Sequence, residues 1–462
     1  METPMGRTRQ PNERLGRLIR EAGRPNESLA RALCAVAARH NDPARPSRVS
    51  VTQWVRQGVM PSGNIPQYLA EVLTSWLNRD VTLADMGFGD EQPDLRDWGL
   101  DTLKTLAALG RIDVDVERRQ LLSTLAYSLG ALSIPPASWW EHMARTGSRG
   151  ITQRRAVQAD VDAVREMTAL FSQLDQRRGG GHGRTAVAQY LVTDVGEFLQ
   201  GTFASDRVRR DMFSAASELA YLAGWTAFDN GEHPTAQHYY TVAVKLAAEA
   251  DDPAMAGHVL RAMAHQAVDL RKPHHAVRVA EASIAGDRYA LASPRERSLL
   301  GVVHARALAA AGRTAEANAA LLQAERDLSV ASPGDDEPGR VFFFGEASLA
   351  HETASALRDL GDLEGAAREF ERSVATRKAS TFTRTHAVTL GHLGLVKARQ
   401  HSIEEACAIW SRSLDAMQTV RSARTRDVAL GIRSALSPYR GRKVPTVDAV
   451  DGLAADYLAA TI

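Results

Sequence analysis

From Asp211 onward the chain repeats itself, and that repetition restricts its possible folds more than any other feature of its 462 residues. Aligning one small residue per copy brings Ala236, Ala276, Ala317, Ala366 and Ala406 into register, at spacings of 40, 41, 49 and 40 residues. Five positions before each alanine stands a turn residue: Gly231, Arg271, Gly312, Gly361 and His401. Four positions after it come Tyr240, Ala280, Leu321, Phe370 and Trp410, bulky in four of the five copies. Residues four apart share a helix face, so each copy predicts a helix, a tight turn and a second helix. The 49-residue gap is explained by an inserted loop, Ala331 to Arg340, rich in Pro, Gly and Asp. No strand pattern appears across 211–420, and the expected class is all-α. A helix pair cannot bury its apolar face alone, so such pairs must stack on their neighbours.

The clearest copy runs from Ala356 through Leu360-Gly361-Asp362 to Ala366-Ala367-Arg368-Glu369-Phe370. It resembles a tetratricopeptide (TPR) repeat, although that repeat runs to about 34 residues and these units are longer. The resemblance implies a TPR-like superhelix over 151–420 whose concave groove takes peptides or protein segments.

The N-terminal part reads differently. Residues 12–23 predict a helix with Leu15, Leu18 and Ile19 on one face, and Glu27 to His40 a second with Leu29, Leu33 and Val36. Ser47 to Pro61 then predicts a short helix. Ser47 is a good N-cap, Val51, Trp54 and Val55 form an apolar stripe, and Gly58 and Pro61 end it. Asn64 to Asn78 predicts a closing helix. Residues 1–60 hold 11 Arg and no Lys against five acids, a net of +6, whereas the whole chain carries +1. A basic head on a neutral body is the electrostatic footprint of a DNA-contacting domain. Arginine is a weak signal here, however, since 50 of the 56 basic residues are Arg.

On Leu29-Ala30-Arg31-Ala32, Val51-Thr52-Gln53-Trp54-Val55-Arg56, Ile65 to Leu73 and Val81 to Phe88, residues 12–88 resemble a helix-turn-helix domain of the phage-repressor (XRE) type. The variant that it resembles opens actinobacterial regulators of sporulation and antibiotic production, in which helical repeats follow. The connection Asn41 to Pro46 is longer than the turn of the plain motif, and Gln57 is an extra residue. The resemblance implies that Ser47 to Arg56 is a recognition helix for a double-stranded DNA operator. Ser47 caps it, with Ser50 beside it in the first turn, and can bond a phosphate. Arg48, Val49, Thr52 and Gln53 are the candidates for base edges, and Arg45 and Arg56 for phosphates. The plainer reading of Thr52 and Gln53 is an exposed polar face.

The remaining segments are quieter. Residues 1–11 are expected to be a flexible arm, with minor-groove contact by Arg7 and Arg9 as the sharper alternative. Residues 89–150 are expected to be linker and connecting helices, Leu100 to Leu109 and Val114 to Leu132, followed by a Trp139-Trp140 pair that suits packing. Ile151 to Gln176 predicts a further amphipathic helix, ending at Arg177-Arg178-Gly179-Gly180-Gly181-His182-Gly183-Arg184. That string lacks the preceding strand, the Lys and the spacing of a phosphate loop. It reads as a helix-to-helix loop, with Arg178, His182 and Arg184 as a weak ligand contact. Residues 421–462 are expected to be a basic capping segment.

The chemistry of catalysis is missing. No HExxH, GxSxG, dinucleotide-binding or Walker motif occurs, the 14 histidines are scattered, and neither an enzyme, a cofactor nor a metal site is expected. Cys34 and Cys407 sit in apolar helix faces, so two reduced thiols are expected. With no signal-peptide core and no long apolar run, a cytoplasmic protein without a membrane span is expected. Three readings stand. One is a sequence-specific regulator, a repressor of development or secondary metabolism, dimeric because one short recognition helix binds weakly. A second is a protein-interaction scaffold without DNA reading. The third joins them, as a repressor gated by a peptide, small-molecule or protein effector in the repeat groove.

Overall fold

The computed structural model describes residues 11–39, 42–62, 64–77, 79, 81–83, 85–88, 95–113, 127–146, 154–332, 337–440 and 444–461. The expected arm at 1–11, apart from Pro11, and most of the helix expected over Val114 to Leu132 lie outside them. Among the described residues the chain is all-α except for one two-residue parallel ladder, and it divides into two compact units.

The head lies within Met1–Asp97 and Val116–Ser133. It is built on α1 (Glu13–Glu21), α2 (Asn26–Arg39), α3 (Arg48–Gln57) and α4 (Ile65–Leu77). The apolar positions read from the sequence form its core, with Leu15, Leu18, Leu29, Leu33, Val51, Trp54 and Leu69 all buried. Polar staples fix the helices around that core. The Asn12 amide N–H donates to Val55 O of α3 (2.8 Å) and its side chain donates to Met86 O (2.7 Å). The same side chain accepts from the Leu15 amide and so caps α1. Asp42 accepts from the Ala44 amide, Asn64 and Tyr68 Oη. Those three bonds, the Ala44 amide foremost, hold its carboxyl below the usual range and tie the long α2–α3 connection to α4.

The body lies within Trp98–Asp115 and Ile134–Ile462, so part of the expected linker region belongs to it. Helix α5 (Thr102–Asp113) is anchored there because Lys245 Nζ donates to Leu100 O and Tyr239 Oη to Asp113. Helix α6 (Ala137–Arg145) carries the tryptophan pair, and Trp139 packs edge-on against Trp98. The strands β1 (Arg155–Ala156) and β2 (Thr202–Phe203) form the ladder. Helix α7 therefore starts at Gln158 rather than Ile151 and runs to Arg178, and α8 follows at Gly180–Tyr190.

Six helix pairs come next: α9 (Asp206–Asp229) with α10 (His233–Glu249), α11 (Pro253–Asp269) with α12 (Pro273–Ser283), and α13 (Pro294–Ala310) with α14 (Thr314–Ser329). They continue as α15 (Glu346–Leu360) with α16 (Leu363–Thr376), α17 (Thr383–Arg399) with α18 (Ile403–Met417), and α19 (Ala423–Leu436) with α20 (Pro445–Ala460). The sequence repeat marks only the first five. The sixth, in the expected capping segment, closes the array through Val428, Ile432, Val447 and Val450.

The five repeat alanines are all fully buried, as are Tyr240, Ala280, Phe370 and Trp410 at the position four later. The five turn residues share one geometry. Each has positive φ, from 56° at Arg271 to 91° at Gly361. In each copy the next amide donates back to the carbonyl five residues earlier, as Glu232 does to Ala227 and Ser402 to Lys397. This is the Schellman ending of a helix, which satisfies its last carbonyls and needs a left-handed residue. Arg271 and His401 adopt it at a steric cost that glycine avoids. Arg271→Gly and His401→Gly should each therefore stabilise the chain by about 0.5–1 kcal/mol, and Gly312→Ala should destabilise it by about as much. Urea unfolding of the three variants checks the signs, and a loss of stability in both glycine variants would contradict the strain argument.

Candidate functional site

Two places hold side chains that folding alone does not account for: the outer face of α3 and a cavity inside the body.

In the head, Val51 and Trp54 anchor α3 in the core. Ser47 and Ser50 cap each other's backbone amides in a capping box, and Gly58 ends the helix in the left-handed conformation. The sequence candidates separate accordingly. Ser47 and Ser50 hold the helix start. Thr52 is half-buried, donates to Arg48 O and accepts from Asn26. The Arg45 guanidinium lies along its own loop, donating to Asp42 O and Ala44 O. Arg48, Val49, Gln53 and Arg56 are exposed together, and Val49 is 64% exposed although apolar. A rigid, doubly capped helix thus presents two guanidiniums, an amide and an isopropyl group to solvent.

In the Gly-rich string, the structure separates Arg184 from the other two residues. Arg178 and His182 are exposed on a shallow hollow beside Arg421 and Tyr457. Arg184 is buried, paired with Asp113 (2.7 Å) and Glu232 (2.8 Å), and is committed to the core. The expected loop is a one-residue break at Gly179, where φ is +84°. A Cβ on Gly180 would lie 2.4 Å from Thr226 O, so the glycines let α7 and α8 close onto α9.

The cavity, of about 420 Å³, is lined by α7, by the first helices of successive pairs and by the inserted loop. The loop does not hang free. Arg340 donates to both Glu296 oxygens (2.7 and 2.8 Å) and reaches Glu218 at 3.4 Å. Glu337 accepts from Ser293 and from the Arg295 amide, Phe344 is buried, and Phe342 and Phe343 stand at the cavity wall. Nothing in the Pro/Gly/Asp composition of the insertion announces this closure. Its contacts lie 44 and 122 residues away in sequence.

The lining is charged and aromatic. Arg165, Arg261, Arg340, Arg377, Arg384 and Arg424 face it, with Asp175, Glu218, Asp252, Glu337 and Glu352. The carboxylates are engaged by the protein. Asp175 pairs with Arg384, Glu218 with Arg340, and Glu352 with Arg306. Asp252 accepts from Ser214 and the Met255 amide, and Glu337 is held as above. The cations are not all matched. Arg261, 2% exposed, bonds only the neutral partners Tyr221 Oη and His258 Nε2, and lies 5.6 and 5.7 Å from the Tyr221 and Trp225 ring centres. Arg377, 8% exposed, bonds Ala347 O, Ser348 and Ser373, and burial lowers its guanidinium to about 10. No sequence motif marks either residue. The one available signal is arginine placed inside otherwise apolar repeat helices.

Burial governs the other titrations here. It pushes the Glu218 carboxyl up. Glu296 resists the same push and falls to about 2, because Arg340 and His258 surround it. His258 falls to about 4, and His265, His351 and His392 fall well below the ordinary histidine range, through desolvation first and neighbouring guanidiniums second. Among the described residues no group of three or more His, Cys, Asp or Glu gathers as a metal site. No described helix is long and apolar enough to cross a membrane.

Comparison with known proteins adds to the head. Residues 15–89 match the SP15 N-terminal domain family. The helical domain thus has a named family counterpart. No curated protein matches the chain. A solved structure, that of a Rap protein complexed with Competence and Sporulation Factor, is similar at 13% identity and a TM-score of 0.41. The match covers 65% of this chain and 87% of that one. So distant a likeness is silent on function.

The site's electrostatics carry two expectations. Removing Arg340 leaves Glu296 buried without its counter-ion, and breaking a buried pair in this way costs about 3–5 kcal/mol. Arg340→Ala should lose stability on that scale in urea unfolding, and a loss under about 1 kcal/mol would mean that the loop is only loosely attached. The second concerns pH. A histidine with a depressed folded pKa contributes stability that is present above its unfolded value, near 6.5, and is lost as pH falls through the folded value. Unfolding free energy should therefore drop between pH 7 and 5, by about 1.4 kcal/mol per pH unit for each buried histidine that takes up a proton on unfolding. A flat profile over that range would show these rings to be solvated.

Proposed function

We propose that the chain is an effector-binding transcriptional regulator, in which the body takes a ligand in its cavity and the head reads operator DNA. The exposed set on α3 is the observation that carries the DNA half. Arg48, Gln53 and Arg56 are the residue types that bond guanine, adenine and phosphate, and Val49 offers an apolar group for a thymine methyl. The net charge of +6 over residues 1–60 supports the same reading. On this reading α3 is an XRE-type recognition helix, the protein is a cytoplasmic homodimer on two half-sites, and its role is repression in development or secondary metabolism. Neither half calls for a catalytic group, a metal or a cofactor.

The cavity carries the effector half. Its volume lies within the range of small-molecule sites, and it suits a small molecule or the end of a short peptide. The second reading, an interaction scaffold that binds a partner segment without reading DNA, is favoured by that same cavity, because its walls come from several successive repeats. Selection from a random double-stranded pool by the full-length protein separates the two. Enrichment of a (pseudo)palindrome supports the regulator. Arg48→Ala with Gln53→Ala should then weaken specific binding by at least about tenfold, since each good base pairing contributes about 1–3 kcal/mol, with helix content and oligomeric state unchanged. Failure to enrich any sequence, with and without cell extract, would leave the scaffold.

A further inference from the structure

We propose that the cavity binds an organic anion, a carboxylate or phosphate joined to a flat apolar group, with Arg261 and Arg377 holding the charge and Tyr221, Trp225 and Phe343 covering the apolar part. This rests on the reading of the cavity as the effector site and names the chemistry of its occupant. The argument is one of charge matching. A buried ion is tolerated when it is paired and its hydrogen-bonding capacity is met. Every carboxylate that faces this cavity is already held by a protein cation or donor. Among the described residues, Arg261 and Arg377 have no carboxylate within ion-pair distance, and the Nε of each is buried without a hydrogen-bond acceptor. Arg424, half-buried on α19, faces the same space and lies 5.9 Å from the Phe228 ring centre.

Two independent features agree. Six guanidiniums line the cavity against five carboxylates, and Arg424 is among the charges that depress His265, His351 and His392. The Arg261 guanidinium also lies near the rings of Tyr221 and Trp225, and a guanidinium beside aromatic rings is suited to a planar anion. An anion entering here gains charge-assisted hydrogen bonds to donors whose desolvation folding has already incurred, and the aromatic wall orients whatever is attached to it.

The test uses thermal shift and calorimetry on the full-length protein with four probes at millimolar concentration: phenylpropionate, phenyl phosphate, phenylpropionamide and inorganic phosphate. The two aromatic anions should raise the melting temperature, and the amide and bare phosphate should do so much less. Whichever aromatic anion binds more tightly assigns a carboxylate or a phosphate source. Arg377→Gln and Arg261→Gln should each weaken that binding by about tenfold or more. Arg424→Gln, at a half-exposed position where the fold is least at risk, should weaken it by a smaller factor. Equal binding of the amide, or binding of the anions that survives all three substitutions in folded protein, would overturn the charge assignment and leave the receptor reading intact. No shift with any probe would overturn both.

Discussion

The body depends on a buried arginine between two aspartates. Arg384 of α17 contacts Asp175 of α7 at 3.0 Å and Asp229 at the end of α9 at 3.1 Å. All three are almost fully buried. Their sequence separation is the important quantity, since Arg384 and Asp175 are 209 residues apart. Helix pairs in a repeat touch only their neighbours, and their inner face would otherwise be open to water. This triad draws the fifth pair, the first pair and the preceding helix α7 together. Asp229 uses its other oxygen to accept from the Gly180 amide at 2.8 Å, which sets the start of α8. The groove that the repeats would form is thereby narrowed to a cavity. Burying such a triad does not by itself stabilise a fold more than apolar packing would, because desolvation offsets the attraction. Its contribution is to define which elements meet.

The inserted loop adds a further wall to that cavity by the same means. Arg340 carries a charge into the body's interior, and Glu296 and Glu218, on the third and first pairs, neutralise it. The head follows a different logic. Its core is apolar and contiguous, and its long-range polar ties, among them Asn12 to Val55 and Met86, Asp42 to Asn64 and Tyr68, and Arg79 to Glu21, join elements locally around that core. A small domain with one apolar core holds its surface helix rigid, which suits reading a fixed partner. A body with a polar interior holds unsatisfied donors, which suits receiving one.

Much of this was legible in the sequence, and the boundary is physical. Features set by local periodicity were readable. The alanine register of Ala236 to Ala406, the turn residues from Gly231 to His401 and the cap at Ser47 each express a rule acting within one or two helical turns. The positive φ of Arg271 and His401 was readable only through the repeat, for neither residue type announces a left-handed turn alone. The sixth pair, Ala423–Leu436 with Pro445–Ala460, was obscured by the seven basic residues of 421–443, although Arg433 and Arg440 simply pair with Asp451 on the helix opposite. The Gly-rich string carried a misleading signal. Glycines that resemble a ligand loop exist there because Thr226 O and Arg421 O approach too closely for a Cβ. The cavity was not legible, because its walls come from segments more than 200 residues apart and its chemistry resides in which arginines find carboxylates.

That last point bears on how arginine should be read in such a chain. With 50 arginines in the sequence, identity alone distinguishes nothing. Pairing does. Arg184, Arg306, Arg340 and Arg384 are buried and each meets at least two carboxylates, so their charge is spent within the fold. Arg261 and Arg377 are also buried, and among the described residues their hydrogen bonds go only to neutral groups, with the Glu352 carboxylate acting on Arg377 from beyond ion-pair distance. A fold under no other demand would replace such residues with apolar ones at little cost or with gain. Their presence around one cavity, beside carboxylates that are all engaged, is the observation on which the proposed anion site rests.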